Sequence, residues 1–181
     1  MRTIERTIKV ELLDQSELSS EERELIRQAA RGRPHAQTHL SHYDVGAAIM
    51  SESGVIYGGC NVERSTYTQT THAEQHAADS LIFAEGQGAK IVAMAIVGAM
   101  EGADAWIDKF VTGPPKPEVK VANFCFACGH CLQIIWENCL ADPNVKLLLL
   151  TKWGEIARTK IGDALPMPFG PESLGIDIRK K

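Results

Sequence analysis

Apolar residues along the chain fall into short runs that alternate with amphipathic segments. Six segments have a strand-like pattern: residues 4–12, 45–50, 55–62, 90–98, 145–151 and 155–161. The second and third flank a Ser-Glu-Ser-Gly turn, which predicts a β-hairpin. The runs at 90–98 and 145–151 are continuously apolar, as is typical of strands covered on both faces. A further short strand is predicted at residues 119–126.

Three segments carry the signals of helices. The first begins at Ser19, has Glu22 as the second half of a capping box, and runs to about Ala30. The second covers residues 72–85 and is expected to have a threonine cap, and the third covers residues 129–140. The order of these helices and strands predicts an α/β fold with a mixed sheet.

The chain has 181 residues, which suits one domain, and we expect that domain to span residues 1–181. Glycines and prolines break the pattern at about residues 99–123 and predict an irregular insert there. The sequence has no run of 18 apolar residues that would predict a transmembrane helix. Its N-terminal residues resemble neither a signal peptide nor a transit peptide. We therefore expect a cytoplasmic protein.

The charge balance narrows the range of partners. The formal net charge is −4 at pH 7. Proteins that follow a nucleic-acid backbone, or that bind an anionic membrane surface, usually have an excess of basic residues. The sequence therefore predicts neither a nucleic acid nor a membrane as a partner.

Cysteine is the residue type with the most informative distribution. The five cysteines are Cys60, Cys125, Cys128, Cys131 and Cys139, and the last four fall within fifteen residues. An odd number without a secretion signal argues against a disulfide framework. In a reducing compartment, such a cluster indicates metal or redox chemistry. Cys60 and Cys139 are interpreted as core residues.

Two short motifs, each at the start of a predicted helix, could hold a metal. They are His-Ala-Glu at residues 72–74 and Cys-Gly-His-Cys at residues 128–131. One imidazole and two thiolates supply three zinc ligands and leave a fourth position open, which is the pattern of catalytic zinc sites. Glu74 follows the histidine by two residues and could reach a water on the metal without binding the metal.

Each motif taken alone also has simpler interpretations. Glu74 could complete a capping box by accepting from the Thr71 amide. The Cys-x-x-Cys pair could be a redox pair or half of a structural zinc site. Cys125 extends it to Cys-x-x-Cys-x-x-Cys, which suggests an iron–sulfur cluster. Cys125 is also the nearby residue that could close a structural zinc site as a fourth ligand.

The combination of the two motifs is the zinc deaminase signature, and other segments extend the match. They are Asp-Val-Gly-Ala-Ala at 44–48, Gly-Cys-Asn-Val-Glu at 59–63, Leu-Pro at 165–166, Phe-Gly-Pro at 169–171 and Leu174. With these segments the chain resembles the cytidine deaminase family over nearly its whole length. The segment at 59–63 and the C-terminal motifs separate it from the nucleotide and tRNA deaminases, which share only the zinc signature.

The resemblance implies a fold, a cofactor and an activity. The fold would be a three-layer α/β/α sandwich with a five-stranded mixed sheet. The activity would be zinc-dependent hydrolytic deamination of cytidine and 2′-deoxycytidine. His72, Cys128 and Cys131 would hold Zn²⁺, and Glu74 would be the general acid and base.

The resemblance also implies substrate contacts and an assembly. The Ala73 N–H would contact O2 of the base. Asn61 and Glu63 would hydrogen-bond the ribose. Independently of the resemblance, alternation along a strand predicts that both project to one face while Val62 enters the core. Phe169 would stack on the base, from the same or a neighbouring subunit. Single-domain members of the family are usually homotetramers, so a homotetramer is expected.

The chain departs from the family pattern at several positions that would border the pocket. Ala127 replaces the usual proline before Cys-x-x-Cys, Tyr43 replaces a phenylalanine, and the insert at 99–123 is long. These changes leave open a deaminase of a modified or non-cytosine nucleoside. A nucleic-acid editing module on the same zinc core is a second alternative. The acidic net charge and a Glu63 carboxylate near the sugar argue against that module.

Overall fold

The computed structural model describes residues 2–102, 124–150 and 156–180. The strands are β1 (Glu11–Leu13), β2 (Tyr43–Ser51), β3 (Ile56–Cys60), β4 (Ile91–Met100), β5 (Lys146–Leu150) and β6 (Ile156–Lys160). The α-helices are α1 (Ser20–Gly32), α2 (Ala73–Glu85), α3 (Gly129–Asn138) and α4 (Ile161–Ala164). Among these helices, none combines the length and the apolar character needed to cross a membrane.

The strands form one mixed sheet in the order β1–β6–β5–β4–β2–β3. β4 and β5 are parallel, and the other neighbouring pairs are antiparallel. The prediction of an α/β fold with a mixed sheet is confirmed. The expected number of five strands is wrong, because the described residues alone form a sheet of six.

The short N-terminal strand β1 lies along the outer edge of β6. Glu11 lies directly opposite Arg158, and their side chains form an ion pair at 2.9 Å. The Thr159 hydroxyl also donates to the Lys9 carbonyl at 2.7 Å. This strand covers an edge that would otherwise present unpaired backbone groups. The strand predicted at residues 4–12 is therefore correct only at its C-terminal end.

Alternate residues of the central strands belong to two separate cores, one on each face of the sheet. Ala47 and Ile49 of β2 pack with α2 and α3, whereas Ala48 packs with α1. β4 and β5 follow the same alternation: Met94, Ile96, Leu147 and Leu149 on the first face, and Ala95, Val97, Leu148 and Leu150 on the other. Burial on both faces explains why these strands are continuously apolar in sequence.

The predicted start of the first helix is confirmed. The Ser19 side chain accepts from the Glu22 amide at 3.1 Å, and the Ser19 amide donates to the Glu22 carboxylate at 3.0 Å. The helix ends at Gly32, slightly beyond the predicted Ala30. A serine cap of this kind contributes about 1 kcal/mol to stability.

The boundaries of the insert, the hairpin and the segment before α3 also differ from the predictions. β4 continues to Met100, so the insert begins later than residue 99, and residues 103–123 lie outside the described ranges. β3 ends at Cys60, so residues 61–62 are not part of the hairpin. Only residues 124–126 of the strand predicted at 119–126 are described, and they belong to none of the six strands.

Candidate active site

The N-termini of α2 and α3 carry the three predicted metal ligands. His72 is the N-cap of α2, Cys128 is the N-cap of α3, and Cys131 lies in the first turn of α3. Neither N-cap side chain makes a capping hydrogen bond to its own helix. The ligand atoms face one another instead, at helix ends whose exposed N–H groups favour thiolates.

The distances among these three side chains fit a tetrahedral metal. His72 Nδ1 lies 3.2 Å from Cys131 Sγ and 3.4 Å from Cys128 Sγ. All three candidate ligand atoms lie within 4.8 Å of one another. Tetrahedral zinc, with its usual bond lengths, separates a nitrogen and a sulfur ligand by about 3.5 Å. The donor set therefore matches zinc in both chemistry and spacing.

The Cys131 side chain lies in an environment that disfavours its ionised form. Burial raises the pKa of the Cys131 thiol, and the nearby Glu74 carboxylate raises it further. A thiolate at this position therefore requires a compensating positive charge, which a bound metal ion provides.

Glu74 is a buried carboxylate beside the metal ligands, and it is not one of them. It is 6% exposed, belongs to the first turn of α2 and interacts with the Cys131 side chain. Burial raises its pKa, which the proximity of His72 partly offsets. The alternative capping role is wrong, because the Thr71 amide donates to the Val62 carbonyl at 3.0 Å. The expected threonine cap is wrong as well, because His72 is the N-cap.

Cys125 is separate from the group of ligands. Its thiol interacts with the Tyr43 hydroxyl, and burial raises its pKa to about 11. In the described part of the chain, the candidate metal-binding group comprises only His72, Cys128 and Cys131. The geometry therefore favours neither a closed zinc site with Cys125 nor an iron–sulfur cluster, and it leaves a fourth coordination position for a reactant.

The segment that follows β3 lies beside the chain that leads into α2. Val62 and Thr71 pair through two backbone hydrogen bonds of 2.9 and 3.0 Å. On the other side, Gln37 donates to the Asn61 carbonyl at 3.0 Å and accepts from the Glu63 amide at 2.8 Å. Asn61 and Glu63 flank Val62, and Val62 pairs with Thr71, which directly precedes His72.

The side chains of Asn61 and Glu63 have backbone partners. The Asn61 amide accepts from the Val45 N–H at 2.9 Å and donates to the Tyr43 carbonyl at 3.0 Å. The Glu63 carboxylate accepts from the amides of Leu40 (2.8 Å) and Ser41 (3.2 Å). Hydrogen bonds from Ser41 and Leu40 lower the pKa of Glu63, so it is an anionic acceptor at neutral pH.

Burial in this segment differs from the expected alternation. Glu63 is 8% exposed, whereas Val62 is half-buried and belongs to neither core. The prediction that Val62 enters the core is wrong, because the strand ends at Cys60 and Val62 pairs with Gln37 and Thr71 instead.

Comparison with known proteins decides the family of this chain. The family described as the cytidine and deoxycytidylate deaminase zinc-binding region matches residues 19–145. That range includes all three candidate ligands and Glu74. The chain belongs to the cytidine deaminase family.

Individual members of the cytidine deaminase family match over most of the chain. A cytidine deaminase from Sporosarcina psychrophila is 33% identical over 151 residues, covering 83% of this chain and 92% of the relative. One from Halalkalibacterium halodurans is 32% identical, with 83% and 95% covered. The crystal structure of the Burkholderia pseudomallei cytidine deaminase superposes with a TM-score of 0.64 at 28% identity, covering 81% of this chain and 98% of that one.

Phe169, which the sequence analysis predicts to stack on the base, is exposed in the single chain. Its side chain is 60% exposed, and in the described ranges no ring contact joins it to His72. The surrounding segment is held on α3, because Gln133 donates to the Phe169 carbonyl and Trp136 Nε1 donates to Glu172 at 2.7 Å. Phe169 is therefore an exposed ring on an anchored segment.

Gln37 is a positioning residue that the sequence analysis missed. Its side chain donates to the Glu63 carbonyl at 2.8 Å, in addition to its two backbone contacts with this segment. Residues 35–42 show no periodicity in sequence, and a polar loop residue carries no local signal of such a long-range contact.

Close packing of β3 on α2 sets the position of the metal-binding helix. A Cβ on Gly59 would lie 2.4 Å from the Ala77 nitrogen and 2.5 Å from the Ala73 carbonyl oxygen. We expect Gly59→Ala to lower the free energy of unfolding by about 1–3 kcal/mol, as overpacking does, in denaturant titrations. Gly58→Ala is the control, because its Cβ would meet nothing closer than 4.0 Å. Equal stability of the two variants would contradict the prediction.

Proposed function

We propose that the protein catalyses the hydrolytic deamination of cytidine and 2′-deoxycytidine to the corresponding uridine nucleosides and ammonia. One observation carries this proposal: the buried Glu74 carboxylate lies beside an open cluster of three metal ligands at two helix N-termini. The two relatives named above, both described as cytidine deaminases, support the choice of substrate.

In this proposal His72, Cys128 and Cys131 hold one zinc ion per chain. Zinc, when bound, lowers the pKa of water and so supplies hydroxide at neutral pH. Glu74 would take one proton from the attacking water and deliver it to N3 of the base, and would then take a second proton from the hydroxyl added at C4 and deliver it to the departing amine. Its burial keeps bulk water away from the carboxylate and fixes its orientation at the start of α2.

The residues around Glu74 would orient the substrate. Ala73 is the first residue of α2 and is buried, so its N–H could donate to O2 of the base. Asn61 and Glu63 would bind the ribose hydroxyls, and the backbone bonds that they already make would hold them in place. Phe169 would stack on the base in a neighbouring subunit of a homotetramer.

The wider context is part of the same proposal. We propose a single domain over residues 1–181, with helices on both faces of the sheet in three layers. The two cores on opposite sheet faces support this layering. A site with two thiolate ligands works in a reducing compartment, so we place the enzyme in the cytoplasm, in pyrimidine salvage.

The direct test measures ammonia release by the zinc-loaded protein from a panel of nucleosides, free bases and nucleotides. We expect turnover of cytidine and 2′-deoxycytidine, and weak turnover of cytosine and of nucleotides with a 3′-phosphate. Equal efficiency on cytosine and cytidine would contradict the nucleoside assignment. If only a modified nucleoside were turned over, the reaction would still be hydrolytic deamination, but its substrate would be that nucleoside.

A second prediction tests the role of Glu63. If its carboxylate accepts from the ribose 3′-OH, Glu63→Ala should lower kcat/KM for cytidine by about 10–100-fold, since a hydrogen bond to a charged group contributes about 1.5–3 kcal/mol. The value for 3′-deoxycytidine should change much less. Steady-state kinetics with both substrates measures the difference.

The comparison of the two substrates separates binding from structural support. Glu63 also holds the amides of Leu40 and Ser41, so the variant can disturb the loop for any substrate. The same proportional loss with both substrates would assign Glu63 to loop support alone. Glu52→Ala is the matched control, because Glu52 is an exposed carboxylate in the hairpin turn.

A further inference from the structure

A cavity lies at the β1–β6 edge of the sheet. Its volume is about 560 Å³, which is in the range of small-molecule sites. Its walls come from the N-terminal segment, β1, the first residue of β5, the end of β6, the turn at 143–144 and the start of α4. Neither the metal ligands nor Glu74 line it.

The cavity is positively charged in a protein whose net charge is −4. Its lining includes five basic residues, Arg6, Lys9, Lys146, Arg158 and Lys160, and two acidic residues, Glu11 and Asp163. Glu22 adds a third carboxylate from just outside the lining, through Lys146 and Arg158. Five basic side chains against three carboxylates leave a surplus of two positive charges.

Ion pairs hold three of these basic side chains in place. Glu11 pairs with Lys9 at 2.8 Å and with Arg158 at 2.9 Å. Glu22, which is only 5% exposed, pairs with Lys146 at 3.1 Å and with Arg158 at 3.2 Å. Because a buried carboxylate anchors this network, the basic groups line the cavity in a defined arrangement.

The other two basic residues have only neutral hydrogen-bond partners among the described residues. Lys160 Nζ donates to the Asn144 side chain at 3.0 Å. The Arg6 guanidinium donates to the Pro166 carbonyl. Neither contact neutralises the charge, so Lys160 and Arg6 are the groups that an anionic ligand would engage.

This cavity and the metal cluster are formed by different parts of the fold, and no residue of α2 or α3 lines the cavity. The metal ligands are at the N-terminus of α3, whereas the cavity contains Lys146, which follows the helix after a short loop. A molecule in the cavity would therefore occupy a site distinct from the one that holds the nucleoside.

We propose that this cavity binds a polyphosphate anion, either inorganic or the phosphate chain of a nucleotide. The surplus charge and the flexible, multiply donating ammonium and guanidinium groups suit phosphate oxygens. No aromatic side chain lines the cavity, so recognition rests on the phosphates and not on stacking against a base.

The test is isothermal titration of the zinc-loaded protein with inorganic tripolyphosphate and, separately, with ATP, at fixed ionic strength. The variant Arg6→Gln/Lys160→Gln removes the two basic groups that have neutral partners. We expect its Kd for tripolyphosphate to rise at least about tenfold, since two charge-assisted contacts are lost. The matched control is Arg31→Gln/Lys180→Gln, which removes two exposed charges outside the cavity.

The two probes distinguish the source of the anion. Equal affinities for tripolyphosphate and ATP would show that the site recognises only the phosphates. Tighter binding of ATP would show that it prefers a nucleotide. Both results support the site. Absence of binding at millimolar concentration overturns it. An equal rise of the Kd for tripolyphosphate in both double variants would also overturn it. That result is expected for unspecific electrostatic attraction, or if the measured heat came from removal of zinc by the polyphosphate.

Discussion

Replacing Glu74 with glutamine is expected to lower kcat by about 10²–10⁴-fold, the usual contribution of a general acid and base, while one zinc ion remains bound per chain. The amide has the same shape as the carboxylate but cannot carry protons between water, N3 and the leaving amine. Glu74 is not one of the three ligands that face one another, so its replacement leaves the donor set intact.

Two measurements on the same preparation test this expectation: turnover of cytidine and zinc content by elemental analysis. Glu85→Gln is the matched control, because Glu85 lies at the opposite end of α2 and bonds hydroxyls of Ser51, Ser53 and Tyr57. Turnover by Glu74→Gln within about threefold of the unmodified protein would remove Glu74 from the reaction. Loss of zinc in that variant would instead identify Glu74 as a metal ligand.

Removal of a metal ligand should have the second large effect. Cys131→Ala deletes a buried donor between His72 and Glu74, and we expect the zinc content to fall from one per chain to near zero, with loss of turnover. Stability should fall as well, because a ligand present at 100 times its Kd adds about 2.7 kcal/mol to the free energy of unfolding. Elemental analysis and denaturant unfolding with and without added zinc measure both effects.

Cys125→Ala distinguishes an open metal site from a closed one. Its half-buried side chain interacts with Tyr43, outside the group of three ligands. The variant should therefore keep its zinc and its turnover of cytidine. If it lost zinc as completely as Cys131→Ala, four protein ligands would surround the metal and a structural role would replace the catalytic one.

The types and spacings of the metal ligands could be predicted from sequence because each motif is local. His72 and Glu74 lie within one turn at the start of a helix, and Cys128 and Cys131 do the same in another helix. The capping box of Ser19 and Glu22 was predictable for the same reason, since its hydrogen bonds span three residues.

The interpretation of Glu74 needed the three-dimensional structure. Its sequence context fits a capping box as well as a catalytic carboxylate. The capping role fails because the Thr71 amide bonds the Val62 carbonyl, a contact between the residues that follow β3 and those that precede α2. No periodicity or propensity encodes such a contact, because it depends on how two loops pack.

The sequence by itself determined the chemistry of the donors, the helix starts and the strands that are buried on both faces, because these follow from hydrogen bonds and hydrophobic periodicity within a few residues. The tertiary structure confirmed that His72 meets Cys131, which is 59 positions away, and it alone decided that the Cys125 thiol interacts with Tyr43 and that β1 adds a sixth strand. These outcomes depend on contacts between distant segments, whose free energy arises from packing and burial and is absent from any local pattern.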